Sequence, residues 1–308
     1  MRIQQDILTW YDLHGRHSLP WKVKNIYKIW ISEVMLQQTQ VKTAIPYFKT
    51  FIKKYPSLKK LCEAKLNDIL KLWSGLGYYR RAENIFKTAQ IIKSKYNGIF
   101  PKQYNALLQL PGIGRTTASA ILTFAKIDSL PILDGNIKRL LSRMYGIKSN
   151  VLDKDVEKIL WKFSENLLPK EKASEFNQAL MDIGSLICKK NDPMCNNCPL
   201  QKNCKAFKTN LFDIPKIKKK APIKKQKIWA ALIINKQKKV YMKKISWNML
   251  WKGLYSSPIF SNKKTMDLWL KQKNIKGELY IKSWRFKHKL SHIDFAFDVK
   301  LFEVKSNK

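Results

Sequence analysis

Four of the five cysteines are concentrated in seventeen residues, with gaps of six, two and five: Cys188, Cys195, Cys198 and Cys204. We find no secretory signal at the N-terminus, so disulfide bonds are not expected and a bound metal is the natural interpretation. Zinc sites usually pair their cysteines at short spacings on both sides, and only one such pair is present. Four thiolates on an irregular loop suit one [4Fe-4S] cluster, with free buried thiols as the alternative.

A single carboxylate interrupts an otherwise apolar stretch, KIWISEVMLQQTQV, residues 28–41. The apolar spacing predicts a buried helix, with Glu33 sharing one side with Trp30, Gln37 and Gln40. Apolar surroundings raise the pKa of a carboxyl group, which can then donate a proton at neutral pH. Glu33 is therefore a candidate general acid.

A second carboxylate, Asp134, stands at the start of another predicted helix, in LPILDGNIKRLLSRMYG, residues 130–146. An aspartate at this position commonly caps the helix. About twenty residues earlier, LQLPGIGRTTASAIL places Gly112, Gly114 and Arg115 before a helix, an arrangement that can hold a phosphate on backbone N–H groups. This helix, turn and helix are similar to the helix-hairpin-helix element of DNA-repair proteins. From the residues alone, Asp134 is either a cap or part of a site beside bound DNA.

The elements that must position these residues change type along the chain. Residues 1–207 have apolar positions at helical spacing, which predicts an all-α domain that includes the cysteine loop 188–204. Residues 208–227, rich in proline and lysine, read as a linker. Residues 228–308 alternate with a period of two around one short helix, which predicts a small α/β domain. The helices are expected at 26–51, 66–73, 80–94, 116–125, 136–145, 155–167 and 173–187.

The charge of the chain is strongly positive, with 60 Lys and Arg against 22 Asp and Glu and a formal net charge of +38. Such an excess indicates a polyanionic partner, most often nucleic acid, although a generally basic and AT-rich coding sequence would produce it too. No apolar run reaches the roughly 18–20 residues that a membrane span needs. We therefore expect a cytoplasmic, nucleoid-associated bacterial protein with no membrane partner.

Several longer motifs resemble the endonuclease III superfamily of DNA glycosylases and, more sharply, its adenine-specific MutY family. The similarity runs over essentially the whole chain and is densest between Leu19 and Cys204. Besides the four cysteines, the motifs are LPW (19–21), SEVMLQQTQV (32–41), WSGLGYYRRA (73–82), LPGIGRTTA (110–118), PILDGNIKR (131–139), FNQALMDIG (176–184) and LWKGLYSSP (250–258).

The resemblance implies an enzyme that excises adenine opposite 8-oxoguanine or guanine in double-stranded DNA, working as a monomer. Glu33 would protonate the purine, Asp134 would stabilise the positively charged sugar, and Asn136 would orient water or sugar, as two carboxyl groups do in glycoside hydrolysis. The residues implied in DNA binding are Gln37, Gln38, Tyr78, Gly112, Gly114, Arg115, Thr116 and Lys138.

Two features of the resemblance bear on the reaction type. Thr116 stands where endonuclease III carries its Schiff-base lysine, and a hydroxyl cannot form an imine, so we expect a monofunctional glycosylase that leaves the abasic strand intact. Lys138 lies near enough in sequence for adventitious adducts. The alternatives are a bifunctional glycosylase and lyase of endonuclease III type, and a non-catalytic iron-sulfur DNA-binding protein.

The C-terminal part resembles the MutT-like, Nudix-fold domain with which the family inspects the opposite base. The glutamate-rich catalytic signature of Nudix enzymes is absent, so this domain would read rather than hydrolyse. The family element Phe-Ser-His appears here as Leu290, Ser291 and His292. Ser291 is the best candidate for a hydrogen bond to the oxidised guanine, and a tail with only residual recognition is the alternative.

Overall fold

The chain divides into two compact units, Met1–Lys218 and Lys219–Lys308. The computed structural model describes residues 2–216, 224–245, 253–275, 280–289 and 293–304. Within those ranges, no helix combines the length and the apolar character needed to cross a bilayer. The first unit is helical and the second contains a sheet, as the change of hydrophobic period predicts.

The first unit is built from short helices joined by turns. A π-helical turn, Ile183–Ile187, continues the last long helix, and two 3-10 turns, Cys195–Asn197 and Gln201–Asn203, lie in the cysteine loop. The helices are α1 (Arg2–His14), α2 (Ile26–Leu36), α3 (Val41–Lys54), α4 (Leu58–Cys62), α5 (Leu66–Leu72), α6 (Arg80–Lys95), α7 (Tyr104–Leu108), α8 (Arg115–Phe124), α9 (Gly135–Tyr145), α10 (Lys154–Leu167), α11 (Ala173–Asp182) and α12 (Lys205–Lys208).

Two hydrophobic cores hold this unit together. The first is formed mainly by α2 to α8 around Trp30 and Trp73, and the second by α1 and α9 to α11 around Phe176. Helix α8 contributes to both, with Ile121 in the first core and Ala120 in the second. Because α2 belongs to one core and α9 to the other, their functional side chains can approach each other only where the cores meet.

The helix predicted over residues 26–51 is wrong in its middle. Helix α2 ends at Leu36 and α3 begins at Val41. Gln38 between them has a left-handed φ of 57°, which a continuous α-helix cannot accommodate. The glutamines therefore lie on a turn, and Trp30, only 1% exposed, packs inside the first core instead of sharing the side of Glu33.

The predicted linker, residues 208–227, is structured at both ends. Arg143 donates hydrogen bonds to the carbonyl oxygens of Phe212 (2.6 Å) and Ile214 (2.9 Å), and Ile214 is buried. Strand β1 begins at Lys224, within the same stretch. The high lysine and proline content of the stretch predicts a linker. Its first residues nevertheless include Phe212 and Ile214, which contact the helical unit.

The second unit contains a four-stranded sheet in the order β4-β1-β6-β5. Strands β1 and β6 are parallel, whereas β4 and β5 run antiparallel to their neighbours. After β1 the chain turns back and forms a bridge between Ile234 and Val240. Helix α13 packs Met266 and Leu270 on one face of the sheet. The elements are β1 (Lys224–Asn235), β2 (Lys243–Lys244), β3 (Tyr255–Ser256), β4 (Ile259–Phe260), α13 (Lys263–Gln272), β5 (Tyr280–Lys289) and β6 (Ile293–Val304).

Candidate active site

A cleft of about 1240 Å³ opens between the two cores of the helical unit. It is lined by Glu33 from α2 and by Asp134 at the start of α9, which the sequence separates by a hundred residues. Thr116 and Asn136 also line it. The volume exceeds that of a typical small-molecule pocket, so the cleft can accept a nucleoside together with part of its backbone.

Glu33 lies on the last full turn of α2, beside the apolar residues of the first core. Burial raises the pKa of this carboxyl group to about 8, and the negative charge of Asp134 adds to the increase. Glu33 is therefore largely protonated at neutral pH, as a general acid must be. Asp134 exerts this influence because both residues line the same cleft.

Asp134 caps α9 and also lines the cleft. Its Oδ1 accepts a hydrogen bond from the backbone N–H of Ile137 at 2.7 Å, and its Oδ2 accepts one from Nδ2 of Asn136 at 3.1 Å. Burial raises the pKa of the Asp134 carboxyl group, while these hydrogen bonds counteract the increase by favouring the carboxylate. Burial thus raises the pKa of both acids of the cleft, and among the described residues only Asp134 has hydrogen bonds that favour the charged form.

Asn136 links Asp134 to the cysteine loop through Arg139. The guanidinium of Arg139 donates to Oδ1 of Asn136 at 3.0 Å and to the carbonyl oxygens of Gly184 at 2.5 Å and Cys188 at 2.8 Å. Arg139 ends the motif PILDGNIKR, which by itself predicts no role for this residue. The two carbonyl oxygens that it binds lie 45 and 49 residues away, so no local pattern could have identified them.

All four clustered cysteines line one apolar pocket: Cys188, Cys195, Cys198 and Cys204. Arg143 lies beside it, 97% buried, and donates to Sγ of Cys188 at 3.4 Å and to the carbonyl oxygen of Lys189 at 2.5 Å. No three His, Cys, Asp or Glu side chains in the described ranges are grouped to hold a single metal ion. Each thiolate of a four-iron cluster binds a different iron, so four separated sulfurs around an apolar space fit that cofactor better than one zinc ion.

The residues expected to probe DNA lie on two exposed turns. Gln38 is exposed. Tyr78 is 53% exposed, so it is not an ordinary core aromatic. Both have left-handed backbone conformations, with φ of 57° and 50°. Gln37 instead points toward the hairpin, where its Nε2 lies 3.4 Å from the carbonyl oxygen of Gly112 and from Oγ1 of Thr117.

The hairpin has the predicted geometry, with an exposed Gly112 at φ 81° and Gly114 as the N-cap of α8. Arg115, however, is engaged by the protein: its Nη2 lies 2.7 Å from Oε1 of Glu165, and its guanidinium covers the ring of Trp161 at 3.8 Å. Exposed ion pairs of this kind contribute little stability, so a phosphate could compete for the arginine.

Two further residues implied in DNA binding, Thr116 and Lys138, are also held by the protein. Oγ1 of Thr116 donates to the carbonyl oxygen of Leu133 at 3.1 Å. Nζ of Lys138 pairs with Oε1 of Glu157 at 2.6 Å. Thr116 lines the cleft, whereas Lys138 is not among the lining residues.

Several cleft residues were missed by the sequence analysis. Lys22 donates to the hydroxyl of Tyr11, and burial lowers the pKa of its ammonium group. Gln178 lines the same cleft and accepts a hydrogen bond from Tyr11 at 2.9 Å. Arg16 pairs with the buried Asp182 at 2.5 Å. Only the adjacent LPW motif for Lys22, and FNQALMDIG for Gln178 and Asp182, could have drawn attention to them.

The three residues expected to recognise the opposite base, Leu290, Ser291 and His292, lie outside the described residues. They fall between strands β5 and β6, which pair antiparallel from Lys289 and Asp294 onward. Their roles stay predictions.

Comparison with known proteins adds independent evidence. Residues 31–166 match the model of the HhH-GPD superfamily of base excision DNA repair proteins. The adenine DNA glycosylase of Buchnera aphidicola subsp. Acyrthosiphon pisum is 48% identical over 292 residues, covering 94% of this chain and 83% of that protein. The human adenine DNA glycosylase is 36% identical over 210 residues, covering 65% of this chain and 38% of that protein.

Two solved structures are similar to this chain in fold. A thermostable thymine-DNA glycosylase aligns with a TM-score of 0.60 and 28% identity over 67% of this chain and 95% of its own. A non-covalent complex of endonuclease III with DNA shares the fold, with a TM-score of 0.58 and 23% identity over 68% of this chain and 94% of its own. With the two carboxyl groups meeting in one cleft, the chain belongs to the adenine DNA glycosylase family of base excision DNA repair enzymes.

Proposed function

We propose that this adenine DNA glycosylase removes adenine mispaired with 8-oxoguanine or guanine, by hydrolysing the bond between base and deoxyribose. The observation that carries the proposal is the pairing of a carboxyl group with a pKa of about 8, Glu33, with a hydrogen-bonded carboxylate, Asp134, in one cleft. Cleaving a base from its sugar needs both an acid and a stabilising negative charge.

Glu33 acts on the leaving group. Adenine is a poor anionic leaving group, so a proton must reach the purine as the bond breaks, most usefully at N7. Because its pKa lies near neutrality, Glu33 holds this proton under physiological conditions and can still release it. A carboxyl group of ordinary pKa would be ionised and unable to do so.

Asp134 acts on the sugar. Departure of the base leaves positive charge on the deoxyribose, and a nearby carboxylate stabilises it, through electrostatic attraction or a transient covalent adduct. The hydrogen bonds from Ile137 and Asn136 keep the Asp134 carboxylate oriented toward the cleft. Asn136, which Arg139 holds in turn, is positioned to direct the attacking water or the sugar.

The reaction stops at the abasic site. The hydroxyl of Thr116 has no amine to offer and is bonded to the carbonyl oxygen of Leu133, while the ammonium of Lys138 is paired with Glu157. Neither residue offers a free amine to the sugar, and Nζ of Lys22, which lines the cleft, is bonded to the hydroxyl of Tyr11. We therefore expect no imine and no strand cleavage. If borohydride trapped a covalent adduct in stoichiometric yield during turnover, the bifunctional alternative would replace this assignment.

The duplex is gripped by the hairpin and probed by the two exposed turns. The N–H of Ile113 already donates to the carbonyl oxygen of Leu110 at 3.1 Å, so the backbone N–H groups at the start of α8, after the N-cap Gly114, are the ones assigned to a phosphate. The sequence makes Gln37 and Tyr78 the candidates to fill the space left by an adenine that swings into the cleft, a motion that costs a few kcal/mol and less for a mispair. Because Gln37 points toward the hairpin, we assign the role to its exposed neighbour Gln38 together with Tyr78.

We assign one [4Fe-4S] cluster to the cysteine pocket, where Cys188, Cys195, Cys198 and Cys204 would bind it. When bound, the cluster supplies covalent links that fix the lysine-bearing loop in one conformation. Arg139 and Arg143 lie on α9 and donate to carbonyl oxygens of this loop, so they connect the loop to the helix that Asp134 caps. The cluster thus serves structure, and the presence of both acids argues against a non-catalytic iron-sulfur protein.

The MutT-like C-terminal unit reads the opposite base, with Ser291 as the hydrogen-bonding residue. Ser291→Ala should lower the preference for adenine opposite 8-oxoguanine over adenine opposite guanine. An unchanged preference would support the alternative of residual recognition.

The test of the function is single-turnover release of adenine from duplexes holding adenine opposite 8-oxoguanine, guanine or thymine. Wild type should act on the first two and spare the third, and Glu33→Gln should be inactive on all. If wild type and Glu33→Gln were equally inert, the glycosylase assignment would fail. Equal action on all three duplexes would refute mispair specificity.

A further inference from the structure

Arg81, on the first turn of α6, is a buried cation at a position where the reaction itself needs none. It is only 7% exposed, and in the described ranges no carboxylate forms an ion pair with it. Burial lowers the pKa of its guanidinium to about 10, so the group stays charged at neutral pH. An isolated charge in this environment needs compensating dipoles.

The first set of dipoles is the end of helix α2, which carries Glu33. Nη1 of Arg81 donates to the carbonyl oxygens of Val34 (3.1 Å), Met35 (2.6 Å) and Gln37 (2.6 Å). The last carbonyls of a helix lack partners within the helix, and a cation there is favoured by the helix dipole. Arg81 therefore completes the end of α2 from 44 or more residues away in sequence.

The second set joins the two exposed turns to each other. Nη2 donates to Oγ1 of Thr39 at 3.0 Å, on the turn of Gln38, and to the carbonyl oxygen of Gly77 at 3.1 Å, on the turn of Tyr78. The guanidinium also lies over the ring of Tyr78, 5.5 Å from its centroid. One side chain thus fastens both turns to the end of the same helix.

These turns have a conformation that requires such support. Gln38 and Tyr78 both occupy left-handed backbone conformations that are unfavourable for residues other than glycine. Strained conformations persist only where the surroundings enforce them, and they cluster at functional sites. The fork of a guanidinium can bond several oxygens in different directions, which a lysine ammonium cannot reproduce from the same stem.

We propose that Arg81 is a positioning residue that holds Gln38 and Tyr78 ready to enter the duplex as adenine leaves the stack. The proposal rests on the proposed function and deepens it. Arg81 then controls extrusion of the base, whereas Glu33 and Asp134 control cleavage of the bond. Loss of Arg81 should therefore matter most where the adenine is hardest to extrude.

The test compares two duplexes, one with adenine opposite 8-oxoguanine and one with adenine opposite an abasic analogue, which has no paired base to replace. Arg81→Lys should lower the single-turnover rate on the first by about tenfold or more, and on the second by less than about threefold. Thr39→Val, a milder change that removes one of the bonds, should act in the same direction. Arg80→Met is the matched control, because Arg80 is the exposed neighbour.

A second measurement follows extrusion directly. In a Glu33→Gln background, which stops cleavage, 2-aminopurine placed at the target position should brighten on binding, and Arg81→Lys should abolish most of that increase. The ratio between duplexes is taken within one preparation, so a change in the folded fraction does not alter it. Equal losses on both duplexes, or no loss on either, would overturn the role of Arg81. Inactive wild type would instead refute the proposed function.

Discussion

Glu33→Gln should make the protein inactive and more stable at once. In the unfolded chain this carboxyl group loses its proton near the ordinary pKa of 4.5, whereas in the folded protein it keeps the proton up to about 8. Between these values the folded state binds more protons than the unfolded state, so its stability falls as pH rises. Glutamine has a similar shape and no proton to lose, so the substitution removes this penalty.

The size of the effect follows from the pKa difference. About 2.5 pH units separate 4.5 from pH 7, and each unit is worth 1.36 kcal/mol, which gives an upper limit of about 3 kcal/mol. Because Glu33 lines an open cleft, water reduces this value, and we expect a stabilisation of about 1–3 kcal/mol at pH 7. At pH 5 the same reasoning leaves less than about 1 kcal/mol.

Urea unfolding at pH 5 and pH 7, followed by the helical circular dichroism signal of the first unit, measures the difference. Glu171→Gln is the control, because it also removes one negative charge from a strongly basic chain, but at an exposed position. A Glu33→Gln variant no more stable than wild type at pH 7, or a stability gain that does not change with pH, would refute the reasoning.

Three further results are expected. Asp134→Asn should reduce single-turnover adenine release by about a hundredfold or more. It should change the free energy of unfolding by less than about 1 kcal/mol, because asparagine also caps helices. A large loss of stability would show that the role of Asp134 as a cap dominates. The single-turnover rate of wild type should fall about tenfold per pH unit above the Glu33 pKa of about 8, and a rate that rises through this range would exclude Glu33 as the acid. Cys198→Ser should lower the iron content of purified protein, whereas Cys62→Ser, whose thiol donates to the carbonyl oxygen of Ala89 inside the first core, should retain it; equal iron in both would exclude the cysteine loop as the cluster site.

The sequence predicts those parts of the site that depend on local patterns. The hairpin glycines and the cap Asp134 are each visible within a few residues, and the structure shows the conformations that these patterns imply. The cysteine spacing is also local, and the cluster that it suggests stays a prediction. The length of α2 was mispredicted, because the spacing of apolar residues continues past Leu36 although the chain turns at Gln38. Periodicity records which side chains are buried and is insensitive to a single left-handed residue between two helices.

The supporting arginines could not be predicted, because their partners are distant in sequence. Arg81, Arg139 and Arg143 each donate to carbonyl oxygens more than forty residues away. Backbone carbonyls leave no mark in the sequence, so an arginine that binds them is indistinguishable from one that faces solvent. Arg16 pairs with a side chain, Asp182, but this partner lies 166 residues away and is equally hard to identify from the sequence.

The arrangement of the two cores gives the two carboxyl groups different surroundings. Glu33 sits on a helix of the first core without a described hydrogen-bond donor of its own, so burial dominates its pKa. Asp134 sits at a helix start in the second core, where an N–H group and the side chain of Asn136 favour the charged form. Placing the acid and the carboxylate on different cores therefore separates their roles within one cleft.

The central claim is that Glu33 and Asp134 together release adenine and leave the strand intact. The direct measurement is analysis of both products from one single-turnover reaction on a duplex with adenine opposite 8-oxoguanine, by chromatography of the free base and by electrophoresis of the strand with and without alkali. We predict free adenine in amounts equal to an alkali-labile strand that is uncut before alkali. Strand cleavage in step with base release, or no adenine released, would contradict the account.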